Sequence, residues 1–315
     1  MLLASSLLVA ALLQRHAAAQ TVYLVADTGH DKIQEFSTSG AYLGVFASTN
    51  LDAPTGFTFD SAGNLLVVNS GNNTIERFSA AGVDLGAFIN DSTHLNAPIG
   101  AFSSGFSGSI FVLSATNNVA QYNRGTGAFQ QAYGSIYLQS PSYYYGFNGI
   151  GYVTSTGNDS IYAFQPGFTP SPVITSGLDD PSGIRVLVGS SGTHNVALVA
   201  NDGTTNDIGV YNLSNGTIEG SFGGATLVQP HEISFANGTN DLLVADGGDA
   251  QVFDLTNNGA FVMSFGSGIL DDAQGIVQFT AIPEPGDTVA LLGAMALAAG
   301  LVYRRKGAAG PVGAN

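Results

Sequence analysis

The chain has 315 residues, a formal net charge of −15, 44% hydrophobic and only 10% charged residues, and no cysteine. The hydrophobic share is enough for a core, and the missing cysteines exclude a disulfide framework and thiolate chemistry. Of the eight basic residues one lies near the N-terminus and three near the C-terminus, leaving Lys32, Arg77, Arg124 and Arg185 between them. Four scattered cations cannot neutralise a row of phosphates, so nucleic acid is not an expected partner.

In chain order, residues 2–13 form an apolar run, and Ala17-Ala18-Ala19 ahead of Gln20 has the small-residue pattern of a secretory cleavage site. A signal peptide is expected over residues 1–19. An uncleaved anchor is the alternative, but the run is shorter than the ~20 residues a membrane span needs.

From Val22 onward the sequence repeats. The stretch from Ala53 to Phe88 holds four β-type runs, Gly56 to Asp60, Leu65 to Asn69, Thr74 to Ser79 and Asp84 to Phe88, each closed by turn-forming residues. The polar residue ending the second run recurs as Asp27, Asn69, Ser114, Ser155, Asn201 and Asp246, at spacings of 42, 45, 41, 46 and 45 by subtraction. An aromatic in the third run recurs as Phe36, Phe78, Tyr122, Phe164, Tyr211 and Phe253. A proline opens the first run as Pro54, Pro98, Pro141, Pro181 and Pro230. Four strands per period of roughly 40 to 45 residues predict the blades of a six-bladed, all-β propeller over residues 20–280.

Each unit resembles an NHL-type repeat: Pro-x-Gly and an apolar strand, a Gly-Asn turn, a strand ending in Asp, an Asn-rich turn, and two outer strands ending near Phe-Gly. The sequence departs from that pattern in lacking the Arg of the Asn-rich turn. It also has Pro141-Ser142-Tyr143 and Pro230-His231-Glu232 in place of Pro-x-Gly.

The two ends of the array complete each other. The first unit starts at Val22 without a Pro-led strand, whereas Gly275 to Phe279 is such a strand with no unit after it. Pairing Gly275 to Phe279 with Val22 to Asp27 would close the ring and remove its open edges. The fourth unit is the least regular, with Tyr143-Tyr144-Tyr145 in its first run and extra prolines between Gln165 and Pro172. Strand alternation puts Tyr143 and Tyr145 on one face, either as inter-blade packing or as a stacking platform for a sugar or aromatic ligand.

After Thr280 the periodicity stops. A linker at 281–287 contains Pro283-Glu284-Pro285, and an apolar run from Thr288 to Tyr303 predicts a transmembrane helix ending at Arg304-Arg305-Lys306, with a short tail to residue 315. Sixteen residues of helix span roughly 24 Å, workable in a ~30 Å core when the basic end snorkels. The order of these parts resembles a PEP-CTERM sorting signal. That resemblance implies a Gram-negative bacterium making exopolysaccharide and recognition of Pro283-Glu284-Pro285 by an exosortase-type processing enzyme. It also implies removal of the helix and delivery to the cell surface or extracellular matrix. A plain tail anchor in the membrane is the alternative reading of the helix.

A propeller's chemistry sits at its axis. The pairs after the repeated proline are Thr55-Gly56, Ile99-Gly100, Ser142-Tyr143, Ser182-Gly183 and His231-Glu232, with Gln274-Gly275 in the closing strand. Only one unit offers an ionisable pair, whereas a catalytic metal takes three protein ligands and acid/base work two positioned groups. His231 and Glu232 are the catalytic candidates, and the Pro-His-x-Ile run resembles streptogramin-lyase-like propellers, which need partners from other blades. His30, His94 and His194 fall in turns or loops. Asp179-Asp180 and Asp271-Asp272 precede inner strands and would be the ligands if Ca²⁺ bound, although Asp is also what tight turns require. No cofactor is otherwise expected. The sequence therefore points to a non-catalytic binding module for polysaccharide or protein, with Tyr143, Tyr145 and His231 as candidate contacts. A lyase- or lactonase-type enzyme and a ligand-free spacer stand as alternatives.

Overall fold

The computed structural model describes residues 20–281 apart from 105–107, 116–117, 134–135, 165–169, 189–193, 237–240, 250 and 257–258. The expected leader at 1–19 and the sorting motif, helix and basic cluster at 283–306 lie outside the described residues.

The strands in chain order are β1 (Gln20–Asp27), β2 (Lys32–Ser37), β3 (Tyr42–Ala47), β4 (Pro54–Phe59), β5 (Leu65–Asn69), β6 (Thr74–Phe78), β7 (Asp84–Asn90) and β8 (Pro98–Ser104). There follow β9 (Ser109–Ser114), β10 (Asn118–Asn123), β11 (Phe129–Tyr133), β12 (Pro141–Phe147), β13 (Ile150–Ser155), β14 (Ser160–Phe164), β15 (Ser171–Ile174) and β16 (Pro181–Val188). The last are β17 (Asn195–Asn201), β18 (Asp207–Asn212), β19 (Ile218–Phe222), β20 (Pro230–Phe235), β21 (Leu242–Asp246), β22 (Gln251–Leu255), β23 (Phe261–Phe265) and β24 (Ala273–Ala281). They form six four-stranded antiparallel sheets, five of consecutive strands and one in the order β24-β1-β2-β3. The ring thus closes through the two ends of the array. The propeller is one compact unit, Val22–Phe279.

Each repeated residue has a physical task. The polar residue ending the second strand is at most 2% exposed in all six blades. Its side chain accepts a backbone N–H from the loop that enters the inner strand: Asp271 to Asp27, Asp52 to Asn69, Asn96 to Ser114, Gln139 to Ser155, Asp179 to Asn201 and Gln229 to Asp246. A buried acceptor here satisfies an N–H that has no ladder partner.

A second bond ties one blade to the next. The residues before the inner strands, Ala53, Ala97 and Asp180, have φ of 47°, 42° and 50°, a left-handed conformation that side chains rarely adopt. They are held there by Asp31, Asn73 and Asp159 of the preceding blades, whose Oδ1 atoms accept their N–H groups at 2.7, 2.6 and 3.0 Å. Strain of this kind persists only where the surroundings over-determine it.

The recurring aromatic is the wedge between blades. Phe36 lies 5.1 Å from Phe265 of the preceding blade, Tyr122 is buried among Leu66, Val68 and Ile75, and Tyr211 among Tyr152, Ile161 and Ile174. The side chain of Phe164 lies outside the described residues.

Asp246 carries the largest share of these caps, accepting from Val228, Gln229 and Asp249 N–H groups at 2.7, 2.9 and 3.3 Å. Asp246→Ala leaves these donors without their acceptor and is expected to cost about 2–3 kcal/mol in urea unfolding, against less than about 0.5 for the exposed Asp249→Ala.

Candidate functional site at the axis

Every inner strand that opens with proline shifts register just after it, between Pro54 and Gly56, Pro98 and Gly100, Pro141 and Tyr143, Pro181 and Ile184, and Pro230 and Ile233. Such a bulge lets consecutive side chains serve the same side of the strand. Accordingly Ser142 with Tyr143, and His231 with Glu232, line one axial cavity of about 210 Å³. Its rim carries the residue after the proline from every blade, Thr55, Ile99, Ser142, Ser182 and His231, with Gln274 of β24, joined by Asp180 and Asp202 from nearby turns. Two of the hydroxyls stitch blades together: Ser142 Oγ donates to the Pro181 carbonyl at 2.7 Å and Ser182 Oγ to that of Pro230 at 2.5 Å.

His231 stands among carboxylates. Its Nδ1 is 3.7 Å from Asp202 Oδ2, and its Nε2 is 4.0 Å from Asp272 Oδ1 and 2.9 Å from Gln274 Nε2. The Gln274 amide nitrogen is a donor and also reaches Asp272 Oδ1 at 2.6 Å. The hydrogen-bond pattern therefore assigns His231 Nε2 as acceptor and puts the ring proton on Nδ1, facing Asp202. Burial lowers the imidazole pKa, outweighing Asp272 and Asp246. Burial, with Asp180, Asp246 and Asp272 around it, pushes Asp202 up to about 6, and its Oδ1 is buried without a partner.

Below this mouth the axis is sealed. The next ring of positions is Gly56, Gly100, Tyr143, Gly183, Glu232 and Gly275. The glycines let inner strands meet: a Cβ on Gly183 would overlap the His231 carbonyl oxygen, and one on Gly275 would come within 2.6 Å of that of Thr55. The two larger residues fill the middle. The Tyr143 hydroxyl donates to Glu232 Oε1, Arg185 Nη2 lies 3.5 Å from the same oxygen, and the Ile276 N–H donates to Oε2 at 3.0 Å. The Arg185 guanidinium sits 4.9 Å over the Tyr145 ring and 5.9 Å over that of Tyr143. Burial raises the Glu232 pKa against the pull of Arg185, Tyr143 and the Ile276 N–H. Burial likewise holds the Tyr143 phenol well above its usual range, so it stays a proton donor.

The candidates from sequence divide accordingly. His231 and Glu232, adjacent in the chain, occupy two levels: one faces the mouth and the other is the centre of the plug. Tyr143 and Tyr145 share a face, as alternation predicts, and Arg185 covers both rings. Asp179 Oδ2 accepts from Thr204 N, Thr204 Oγ1 and Thr205 N, which lowers its pKa. The Asp271 carbonyl accepts from Gly29 N, and Asp180 and Asp272 stand beside the mouth. Among the described residues no group of three His, Asp or Glu side chains could hold a metal ion. His30, His94 and His194 pair with Asp27, Asp91 and Glu219.

The inner strands offer a single ionisable pair after the proline, as the sequence shows, but Arg185 from β16 and Asp202 and Asp272 from turns join it at the axis. Of the four cations read as scattered, Arg124 and Arg185 line one pocket, which Lys32 and Arg77 do not. A signal existed for Arg185: it and Glu232 are the only charged residues in the six inner strands. Asp202 belongs to a carboxylate-containing turn, Asn201 to Asp207, but nothing in the sequence sets it against His231.

Fold and axis together define a six-bladed β-propeller with a plugged channel. A chain from the crystal structure of a nidogen/laminin complex superposes with a TM-score of 0.68 at 17% identity, covering 82% of this chain and 98% of that one. A protein of unknown function from Bacteroides caccae does so with a TM-score of 0.65 at 14% identity, covering 83% and 99%. At these identities the likeness is one of fold. No protein-family model and no curated protein matches the sequence.

The raised Asp202 pKa makes a signed prediction. A carboxyl raised from 3.8 to about 6 on folding contributes stability that is fully present below the unfolded pKa and lost as pH rises through about 6. Asp202→Asn should therefore stabilise the protein at pH 8, on the order of 1–2 kcal/mol after allowing for solvent screening. The difference should vanish by about pH 4 in urea titrations.

Proposed function

We propose that this chain is an exported, surface- or matrix-directed propeller of NHL-like type that acts as a non-catalytic binding module. In this reading the leader at 1–19 carries it across the membrane, and the segment from Pro283 to Lys306 is its sorting signal. The mouth and its surrounding loops take a polysaccharide or protein, and no cofactor is required.

The observation that carries the reading is the state of Glu232. General acid–base work needs a group free to take or give a proton at the substrate, and Glu232 has both oxygens engaged by Tyr143, Arg185 and the Ile276 N–H, while 5% exposed. The rim is instead a set of hydroxyl, amide, imidazole and carboxylate groups, the inventory that sugar hydroxyls or a polar peptide loop pair with. The similar chain from a nidogen/laminin complex belongs to an assembly of proteins, which is in keeping with a binding role. One observation favours the enzyme alternative: His231 faces Asp202, whose pKa of about 6 lies near neutrality.

The test is made on protein from its own cells. Mass spectrometry is expected to find an N-terminus at Gln20 and a new C-terminus near Pro283, and an intact peptide across Leu291 to Tyr303 would contradict sorting. Glycan-array and pull-down binding by the mature protein should survive Glu232→Gln within about threefold, whereas loss of a direct contact would weaken it by about tenfold, or roughly 1.4 kcal/mol. Turnover of a bound glycan or lactone that His231→Ala abolishes would replace this reading with the enzymatic one.

A further inference from the structure

The plug leaves a second cavity at the other end of the channel. It holds about 270 Å³ and is walled by Phe57, Phe59, Phe102 and Tyr144, with Arg124 at its edge and Arg185 and Glu232 in its roof. Phe57, Phe59 and Phe102 come from the inner strands β4 and β8, and Arg124 follows β10, on the turn that leads to β11. The two cavities have opposite characters. The mouth is ringed by carboxylates, whereas this one is aromatic and holds two of the four cations in the propeller.

The charges of the cavity do not cancel. Arg185 is 3.5 Å from Glu232 and over two tyrosine rings, so its charge is answered within the roof. Arg124 has no carboxylate partner among the described residues. Its Nε donates to the Phe59 carbonyl at 3.0 Å, which fixes the plane of the guanidinium and leaves both Nη nitrogens for another acceptor. In a chain of net charge −15 this is a local, positively biased recess behind aromatic walls.

We propose that this recess binds a small organic acid with one planar apolar ring, an arene carboxylate in chemical class. Aromatic walls take a ring by stacked or edge contacts. A guanidinium held by its Nε presents the paired N–H groups that match a carboxylate. A recess of about 270 Å³ has room for a single ring and its carboxylate.

Isothermal titration calorimetry on the full chain tests this with three probes: phenylacetate, its neutral analogue benzyl alcohol, and acetate, which has the charge without the ring. Phenylacetate is expected to bind at one site, and the other two at least about tenfold more weakly. Arg124→Gln should weaken phenylacetate by at least about tenfold and leave benzyl alcohol unchanged. Arg124→Lys, which keeps the charge and loses the planar fork, should fall between them and serves where the Gln variant fails to fold. His231→Ala, at the mouth, should bind phenylacetate like the wild type, which separates this site from the one proposed above. Absence of phenylacetate binding, equal affinity for phenylacetate and benzyl alcohol, or equal binding by wild type and both Arg124 variants would overturn the proposal.

Discussion

One buried polar side chain at the end of the second strand organises every blade. In a ring of sheets the chain must cross from the outer strand of one blade to the inner strand of the next, and that crossing has no ladder to hold it. Asp27, Asn69, Ser114, Ser155, Asn201 and Asp246 each supply the missing acceptor from a position shielded from water. An unmet backbone N–H there would carry its full desolvation penalty. With the crossing pinned, the left-handed residues Ala53, Ala97 and Asp180 are held, the bulge after each proline forms, and two consecutive positions per blade are delivered to the axis.

What those side chains do depends on their size. Four blades place glycine at this level, Gly183 and Gly275 lie close against carbonyls of neighbouring inner strands, and the remaining space is filled from two sides by Tyr143 and Glu232. The resulting plug is a buried acid, a phenol and a guanidinium that satisfy one another. A buried ion pair of this kind is weak support for stability but strongly fixes geometry, because removing either partner strands a charge. It also separates a carboxylate-rimmed mouth from an aromatic, cationic recess, so the channel is two unlike cavities back to back.

Much of this was legible along the chain. The period, the strand count, the recurring polar and aromatic residues and the complementary ends are local or repetitive properties, and each corresponds to an interaction made once per blade. The departures from Pro-x-Gly at Tyr143 and Glu232 were also visible, as was the lone cation Arg185 in an inner strand. That they meet was not, because they lie on three blades and 89 residues separate Tyr143 from Glu232. Asp202 and Arg124 were the least legible. One looks like an ordinary turn residue and the other like a surface cation, and only the ring brings the first against His231 and the second beside Phe59.

By itself, then, the sequence determined the blade, its repetition and the way the ends join, since strand alternation, turn chemistry and a buried acceptor are all written within one repeat. The tertiary structure alone decided which blades face which across the axis. From that came the sealing of the channel, the engagement of Glu232 and the contrast between its two ends. Contacts across a closed ring are set by how six sheets pack around a common centre, a geometry that no single repeat encodes.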